Sequence, residues 1–148
     1  MKSSKEVTDW DFKFLKLAQH ISNWSKDPST KVGAVVVDED NRIVSIGYNG
    51  FPKGIKDDER LENRDVKYSL ILHAEENALL FSKQNLKNCK IYTYPLFPCS
   101  RCCSKIIQCG IKEIIALENN NPRWKNSINL SVEMCEEVGI SYKLVAEL

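Results

Sequence analysis

Four residues in two short runs carry side chains that could do chemistry: His73 and Glu75 in the first run, Cys99 and Cys102 in the second. The spacing of apolar residues predicts that a helix begins at each run. Because residues three apart lie on one helix face, both sulfurs can reach a single ion. One imidazole and two thiolates leave the fourth tetrahedral position of a zinc ion open to water, as in a catalytic site. Glu75 stands beside these ligands and is predicted to carry protons.

A closed, structural zinc site with Cys103 as its fourth ligand is the alternative. Neighbouring helix positions point about 100° apart, so Cys102 and Cys103 do not easily share one ion. A lone C-x-x-C pair would also suit a redox site, so the accompanying histidine matters for the interpretation. The start of a helix favours thiolate over thiol, and the thiolate is the form that binds metal.

The composition indicates one ordinary globular domain spanning residues 1–148, in which 43% of the residues are hydrophobic and 28% charged. A net charge of +1 argues against a broad polyanion-binding surface, so no nucleic-acid partner is expected. No apolar run is long enough to cross a membrane, so no membrane partner is expected either. The polar N-terminus lacks the apolar core of a signal peptide. These features predict a cytoplasmic protein.

The six cysteines are consistent with a cytoplasmic protein. In the absence of an export signal, reduced thiols and metal ligation explain the cysteines better than disulfides do. We expect two of them to bind metal and the others to be buried thiols. The cysteines are Cys89, Cys99, Cys102, Cys103, Cys109 and Cys135.

The order of the predicted elements determines the fold. The hydrophobic pattern predicts a helix over residues 9–25, with Trp10 in its apolar stripe, followed by a hairpin. No element is predicted for the charged residues 55–67, and such long connections are usually functional or mobile. Ser127 is predicted to cap the last helix, which Gly139 ends. The predicted strands cover residues 31–38, 42–47, 90–94, 113–117 and 140–145.

The second half of the chain therefore has the order β-α-β-α-β, which implies parallel strands joined by right-handed crossovers. With the preceding helix and hairpin, this gives an α/β fold with a mixed five-stranded sheet and helices on both faces. Ligands in such sheets bind at the carboxyl ends of strands, beside helix N-termini. Both metal-binding runs are predicted to lie there.

Four motifs, taken in order, resemble those of deoxycytidylate deaminases: SKDP at 25–28, GYNGFP at 47–52, HAEENA at 73–78 and PCSRC at 98–102. H-x-E followed by P-C-x-x-C is the signature of zinc-dependent base deaminases, and the first two motifs point to the deoxycytidylate branch. The resemblance implies a three-layer α/β/α cytidine deaminase-like fold. It also implies hydrolysis of dCMP to dUMP and ammonia in pyrimidine deoxynucleotide metabolism. The implied zinc ligands, for one ion per subunit, are His73, Cys99 and Cys102, with Glu75 as the proton shuttle.

Further contacts follow from the resemblance alone. The backbone N–H of Ala74 would contact the base carbonyl, Asn49 the deoxyribose and Lys26 the phosphate. Members of the family are commonly hexameric homo-oligomers and are often regulated by dCTP and dTTP. The implied effector-binding residues are Asn49, Gly50, Phe51, Lys53 and Gly54.

Two features depart from the family pattern. Residues 50–72 contain neither histidine nor cysteine, so the second zinc of some members is not expected. Residues 119–126 do not match the family segment at that place, and two interpretations of them stand. Either Arg123 and Lys125 bind the phosphate while Trp124 stacks on the base, or this is a surface loop that Trp124 anchors.

Other functions fit parts of the pattern. One is a deaminase of another nucleoside, nucleotide or tRNA base. A tRNA enzyme should have a basic last helix, whereas this one contains Glu133, Glu136 and Glu137. Another is a catalytically silent, nucleotide-sensing subunit, which the presence of Glu75 disfavours.

Overall fold

The computed structural model describes residues 6–148. Residues 1–5, on which the expectation of no signal peptide partly rests, lie outside the described residues. Two 3-10 helices cover Glu59–Leu61 and Pro122–Trp124. The other elements, in order, are α1 (Asp9–Ser22), β1 (Gly33–Val37), β2 (Ile43–Tyr48), α2 (Arg64–Leu70), α3 (Ala74–Leu80), β3 (Lys90–Tyr94), α4 (Ser100–Gln108), β4 (Glu113–Leu117), α5 (Lys125–Val138) and β5 (Ser141–Val145).

The strands form one mixed five-stranded sheet in the order β2-β1-β3-β4-β5. β1 is antiparallel to both of its neighbours, whereas β3, β4 and β5 are parallel. The predicted hairpin and β-α-β-α-β half are therefore confirmed. The parallel half exists because α4 and α5 carry the chain back over the sheet between successive strands.

Helices cover both faces of this sheet. Ala34 and Val36 of β1 pack in a core with α3, α4 and α5, while Val35 and Val37 pack in a second core with α1. All four side chains are fully buried, as expected for a strand covered on both faces. The result is the predicted three-layer α/β/α architecture.

Helix α3 lies unusually close to β2 because of Gly47. A Cβ atom at this position would lie 2.3 Å from the carbonyl oxygen of Ala74 and 2.5 Å from the backbone nitrogen of Ala78. Only glycine permits this approach. The contact fixes the start of α3, where His73 is the N-cap.

The predicted first helix is confirmed, but its boundary and its stripe differ. Thr8 caps α1 in a capping box with Asp11, and the helix ends at Ser22 rather than at residue 25. Trp10 was expected in the buried stripe, yet it is 47% exposed and stacks on Phe14 at 5.6 Å. A residue in the first turn has no core beneath it, which periodicity alone does not show.

The expectation of no element in residues 55–67 is wrong. A 3-10 helix and most of α2 lie there, and the side chain of Asn63 caps α2 by accepting a hydrogen bond from the N–H of Val66 at 3.3 Å. A helix of seven residues is too short to show a clear hydrophobic period.

Ser127 does not cap the last helix. Helix α5 begins earlier, at Lys125, and the hydroxyl oxygen of Ser127 accepts a hydrogen bond at 2.9 Å from the N–H of Ser100. Ser127 thus satisfies a free N–H at the start of α4, beside Cys99. Gly139 ends α5 with a φ of 82°, as predicted. No helix within residues 6–148 has the length and apolar character needed to span a membrane.

A buried ion pair joins α1 to β5. Lys143 donates to Oδ2 of Asp11 at 2.6 Å, and the hydroxyl of Tyr92 donates to Oδ1 at 2.8 Å. Burial by itself raises the pKa of Asp11, but these hydrogen bonds, and one from the N–H of Thr8, leave the pKa below its ordinary value. A lowered pKa in the folded state adds stability above the unfolded value near 4, which is lost as the pH falls through the folded pKa.

We therefore expect acid to weaken the wild-type fold more than an Asp11→Asn variant. Between pH 7 and pH 3 the wild type should lose more unfolding free energy than the variant, by about 1 kcal/mol at most, because the unfolded carboxyl takes up a proton in this range before the folded one does. Urea unfolding of both proteins across this range measures the difference. Equal losses in the two proteins would contradict this role for Asp11.

Candidate active site

Three metal-binding side chains meet at the starts of α3 and α4. His73 and Cys99 are the N-caps of these helices, and Cys102 lies in the first turn of α4. Nδ1 of His73 is 3.5 Å from Sγ of Cys99 and 3.3 Å from Sγ of Cys102. The three ligand atoms all lie within 4.8 Å of one another. Helix α4 follows β3 at its carboxyl end, where the fold predicts ligand binding.

The geometry of this cluster fits zinc. In a tetrahedral site, an imidazole nitrogen and a thiolate sulfur bound to zinc lie about 3.6 Å apart, close to the observed 3.3 and 3.5 Å. Among residues 6–148, no histidine, cysteine or carboxylate adds a fourth ligand to the group. One nitrogen and two sulfurs with an open position are the donor set of a catalytic zinc site. The cluster thus fits one zinc ion per chain.

Cys103 is not part of the cluster. Its sulfur lies 3.7 Å from that of Cys135 and donates to the carbonyl oxygen of Ser131 at 3.6 Å. The closed site with Cys103 as fourth ligand is therefore excluded. None of the six cysteines forms a disulfide, as the sequence predicts. Of the four outside the cluster, Cys109 is only half-buried, whereas the other three are buried as expected.

The ligands are electrostatically coupled. A hydrogen bond from the thiol of Cys102 to the sulfur of Cys99, followed by one from His73, lowers the pKa of Cys99 to about 4. The hydrogen bond to Cys99 in turn raises the pKa of His73 to about 9. The metal-free cluster therefore binds a proton between imidazole and thiolate, and a metal ion must displace that proton.

Glu75 lies beside the ligands and is 4% exposed. Burial raises its pKa to about 7. A carboxyl group with this pKa both accepts and donates a proton readily at neutral pH. Its position and its pKa suit general acid–base chemistry.

A cavity of about 370 Å³ opens beside the metal ligands. This is large enough for a small organic molecule. Its lining residues are Asp27, Ser29, Thr30, Val32, Asn49, Lys67, Tyr68, Ile71, His73, Ala74, Glu75, Leu96, Phe97, Cys99, Arg123 and Trp124.

A buried polar network forms one wall of the cavity. Lys67 on α2 donates to Oδ1 of Asp27 at 3.2 Å, and the amide nitrogen of Asn49 donates to Oδ2 of Asp27 at 3.4 Å and to the carbonyl oxygen of Thr30 at 2.8 Å. Oδ1 of Asn49 accepts from the N–H of Val32 at 2.9 Å. The amide of Asn49 is thus fixed, and its oxygen retains one lone pair for a ligand.

Arg123 also lines the cavity. Its guanidinium lies 4.6 Å from the ring centroid of Trp124, and it donates a hydrogen bond of 2.5 Å to the hydroxyl of Tyr68. Trp124 both lines the cavity and packs against the larger core. The segment therefore contributes a stacking surface and a fixed cation, and Trp124 also anchors it.

Several residues with predicted binding roles do not line this cavity. The ammonium group of Lys26 is exposed and pairs with Asp57 at 3.5 Å. Lys125 lines a neighbouring cavity with Asn119 and Asn129. In the predicted effector segment, Lys53 lies over the ring of Phe81 at 4.7 Å, and Gly50 bridges to Leu72. Gly50, Phe51, Lys53 and Gly54 are all absent from the lining of the catalytic cavity.

Three polar residues of the lining have no role predicted from the sequence: Asp27, Lys67 and Tyr68. Asp27 stands inside the SKDP motif, which was a usable signal. Lys67 and Tyr68 lie at the end of a charged stretch and had none, because their role depends on where α2 packs.

Comparison with known proteins agrees with this geometry. Residues 8–118 match the model of the cytidine and deoxycytidylate deaminase zinc-binding region. A deaminase from the luxG 3′ region of Aliivibrio fischeri is 42% identical over 90% of this chain and 92% of its own length. The human deoxycytidylate deaminase is 40% identical over 80% of this chain and 70% of its own length.

The fold has a structural counterpart as well. The dCMP deaminase of cyanophage S-TIM5, solved in complex with dCMP and dUMP, superposes with a TM-score of 0.76 at 24% identity, over 95% of this chain and all of that one. The three-layer α/β/α fold and the site together define a zinc-dependent deaminase. The chain belongs to the family of cytidine and deoxycytidylate deaminases.

Proposed function

We propose that this chain converts dCMP and water to dUMP and ammonia. The observation that carries the proposal is a three-ligand metal cluster with an open position, placed beside a buried carboxyl group in a cavity of nucleotide size. The relatives named as deoxycytidylate deaminases support dCMP as the substrate. His73, Cys99 and Cys102 hold the metal in this proposal. A zinc ion held by these three residues would lower the pKa of a bound water and so supply hydroxide near neutral pH.

Glu75 moves the protons. It takes one from the attacking water and passes it to N3 of the cytosine, which makes C4 electrophilic. After C4 has been attacked, Glu75 takes the second proton from the new hydroxyl on C4 and delivers it to the departing amine, so that ammonia leaves and the carbonyl of uracil forms. Burial raises its pKa above that of an ordinary carboxyl group, which helps one group perform both transfers.

The remaining contacts orient the nucleotide. The backbone N–H of Ala74 donates to the base carbonyl, and the free lone pair of Asn49 accepts from a hydroxyl of the deoxyribose. Trp124 stacks on the substrate. Arg123 binds the phosphate, since a guanidinium suits that geometry and Lys26 and Lys125 do not line the cavity.

Assembly and regulation form a separate part of the proposal. The chain acts as a single domain, residues 1–148, in a cytoplasmic homo-oligomer of hexameric size. Exposed apolar side chains at Trp24, Leu80 and Phe81 support an interface between copies. dCTP and dTTP act through the segment from Asn49 to Gly54, in which Asn49 is buried beside the catalytic cavity and the exposed Lys53 lies over the ring of Phe81.

A chromatographic deamination assay tests the function. The purified protein is incubated with dCMP, deoxycytidine, CMP or dCTP at equal concentration, with and without added dCTP and dTTP. We expect dCMP to be converted with the highest kcat/KM. A preference for deoxycytidine would place the chain with nucleoside deaminases, and no turnover on any of the four would contradict the proposal.

Arg123 gives a sharper test of the phosphate contact. Arg123→Gln should lower kcat/KM for dCMP about tenfold to a hundredfold, since hydrogen bonds between charged groups contribute about 1.5–3 kcal/mol. Activity on deoxycytidine, which has no phosphate, should change little. Lys125→Gln is the matched control and should behave as wild type. Equal losses on both substrates in Arg123→Gln would exclude a phosphate contact.

A further inference from the structure

Helices α3 and α4 are joined by a pair of side chains outside the metal cluster. Oε1 of Glu76 accepts a hydrogen bond from the backbone N–H of His73 at 2.9 Å. Oε2 of the same carboxylate accepts from the ammonium group of Lys105. Glu76 is 18% exposed and Lys105 46% exposed at the side chain.

Each member of this pair lies three residues after a metal ligand. Glu76 lies three residues after His73 on α3, and Lys105 lies three residues after Cys102 on α4. Residues three apart occupy the same helix face. The pair therefore joins the first turn of α3 to α4 at a position one turn beyond Cys102.

The two helices deliver the ligands separately. His73 comes from the start of α3, and both cysteines come from the start of α4. The ligands stay within reach of one ion only if the spacing between these helix starts is held. Glu76 is suited to this because its two oxygens contact a metal ligand's own backbone and the other helix at the same time.

We propose that Glu76 and Lys105 form a clamp that positions His73 against Cys99 and Cys102 and so slows the loss of zinc. The inference rests on the zinc site of the proposed function but not on its substrate. Both are positioning residues, since neither lines the catalytic cavity. The simpler account is that Glu76 only caps α3, in which case Lys105 has no influence on the metal.

Zinc release to a colorimetric chelator, measured on the zinc-loaded protein without substrate, tests the clamp. Lys105→Met should release zinc about threefold to tenfold faster than the wild type. This effect is smaller than the loss of metal affinity that usually follows removal of a buried hydrogen-bond partner of a ligand, because Lys105 is half-exposed. Glu76→Ala should release zinc at least as fast as Lys105→Met, since it also removes the acceptor for the backbone N–H of His73. Lys105→Arg keeps the ion pair and should restore the wild-type rate.

Two further measurements distinguish an effect of the clamp on zinc release from a general loss of protein stability. Lys112→Met breaks an exposed pair with Glu39, 3.8 Å long, and should leave zinc release unchanged. High salt should speed release from the wild type but not from Lys105→Met. Equal rates in wild type and Lys105→Met, or acceleration by Glu76→Ala alone, would overturn the clamp and leave the zinc site standing. A wild-type protein that binds no zinc would overturn the proposed function and the clamp together.

Discussion

Glu75→Gln is expected to keep its zinc and lose at least about a hundredfold, and up to about ten-thousandfold, in kcat. The amide fills the same space but neither takes a proton from water nor delivers one to the leaving amine. Glu75 is buried beside the ligands without being one of them, so its replacement should leave the metal in place. Steady-state turnover of dCMP, with zinc content measured on the same preparation, separates the two effects.

Glu62→Gln is the matched control, because Glu62 is exposed and outside the cavity. It should retain full activity. A Glu75→Gln enzyme within a few fold of wild type would show that another group moves the protons. Loss of zinc in the same variant would instead show that Glu75 supports the metal.

Cys99→Ala is expected to abolish both zinc retention and turnover. The variant leaves one imidazole and one thiolate, which hold zinc far less tightly than three ligands do. Since metal binding also stabilises the folded site, a lower melting temperature should accompany the loss. Elemental analysis after dialysis, together with a thermal melt, measures both consequences.

Cys103→Ala provides a closely matched comparison. Cys103 is buried next to Cys102, but its sulfur points to Cys135 and not to the metal cluster. This variant should lose some stability, because a buried side chain is truncated, and yet keep one zinc ion per chain. Zinc loss in Cys103→Ala with retention in Cys99→Ala would reverse our assignment of the ligands.

Features encoded over short stretches could be predicted from the sequence. The bounds of β3 and β4 agree with the predicted residues, since each is a short apolar strand. His73, Cys99 and Cys102 were also predicted together, because each lies at a helix start and the spacing of the cysteines fixes their common face. These features depend on residues that are neighbours along the chain.

Features that depend on distant packing were missed or misplaced. Lys67 lines the cavity only because α2 brings it to Asp27, forty residues earlier in the chain. Ser127 looked like the cap of its own helix, whereas it bonds to Ser100 of α4. In both cases the side chain has several local partners available, and tertiary structure selects a remote one.

Lys26 and Lys125 illustrate the same difficulty for binding residues. A basic residue near a motif is a reasonable candidate for a phosphate contact, but only the folded chain shows which cations face the cavity. Arg123, on the 3-10 helix Pro122–Trp124, lines the cavity while staying exposed to solvent. No periodicity in residues 119–126 signals this short helix.

The most direct test of the central claim is turnover of dCMP as zinc is returned to the stripped protein. If His73, Cys99 and Cys102 hold the catalytic ion, dUMP formation should rise in proportion to bound zinc and level off at one ion per chain. Activity that is independent of zinc, or that reaches its plateau only at two ions per chain, would contradict the account.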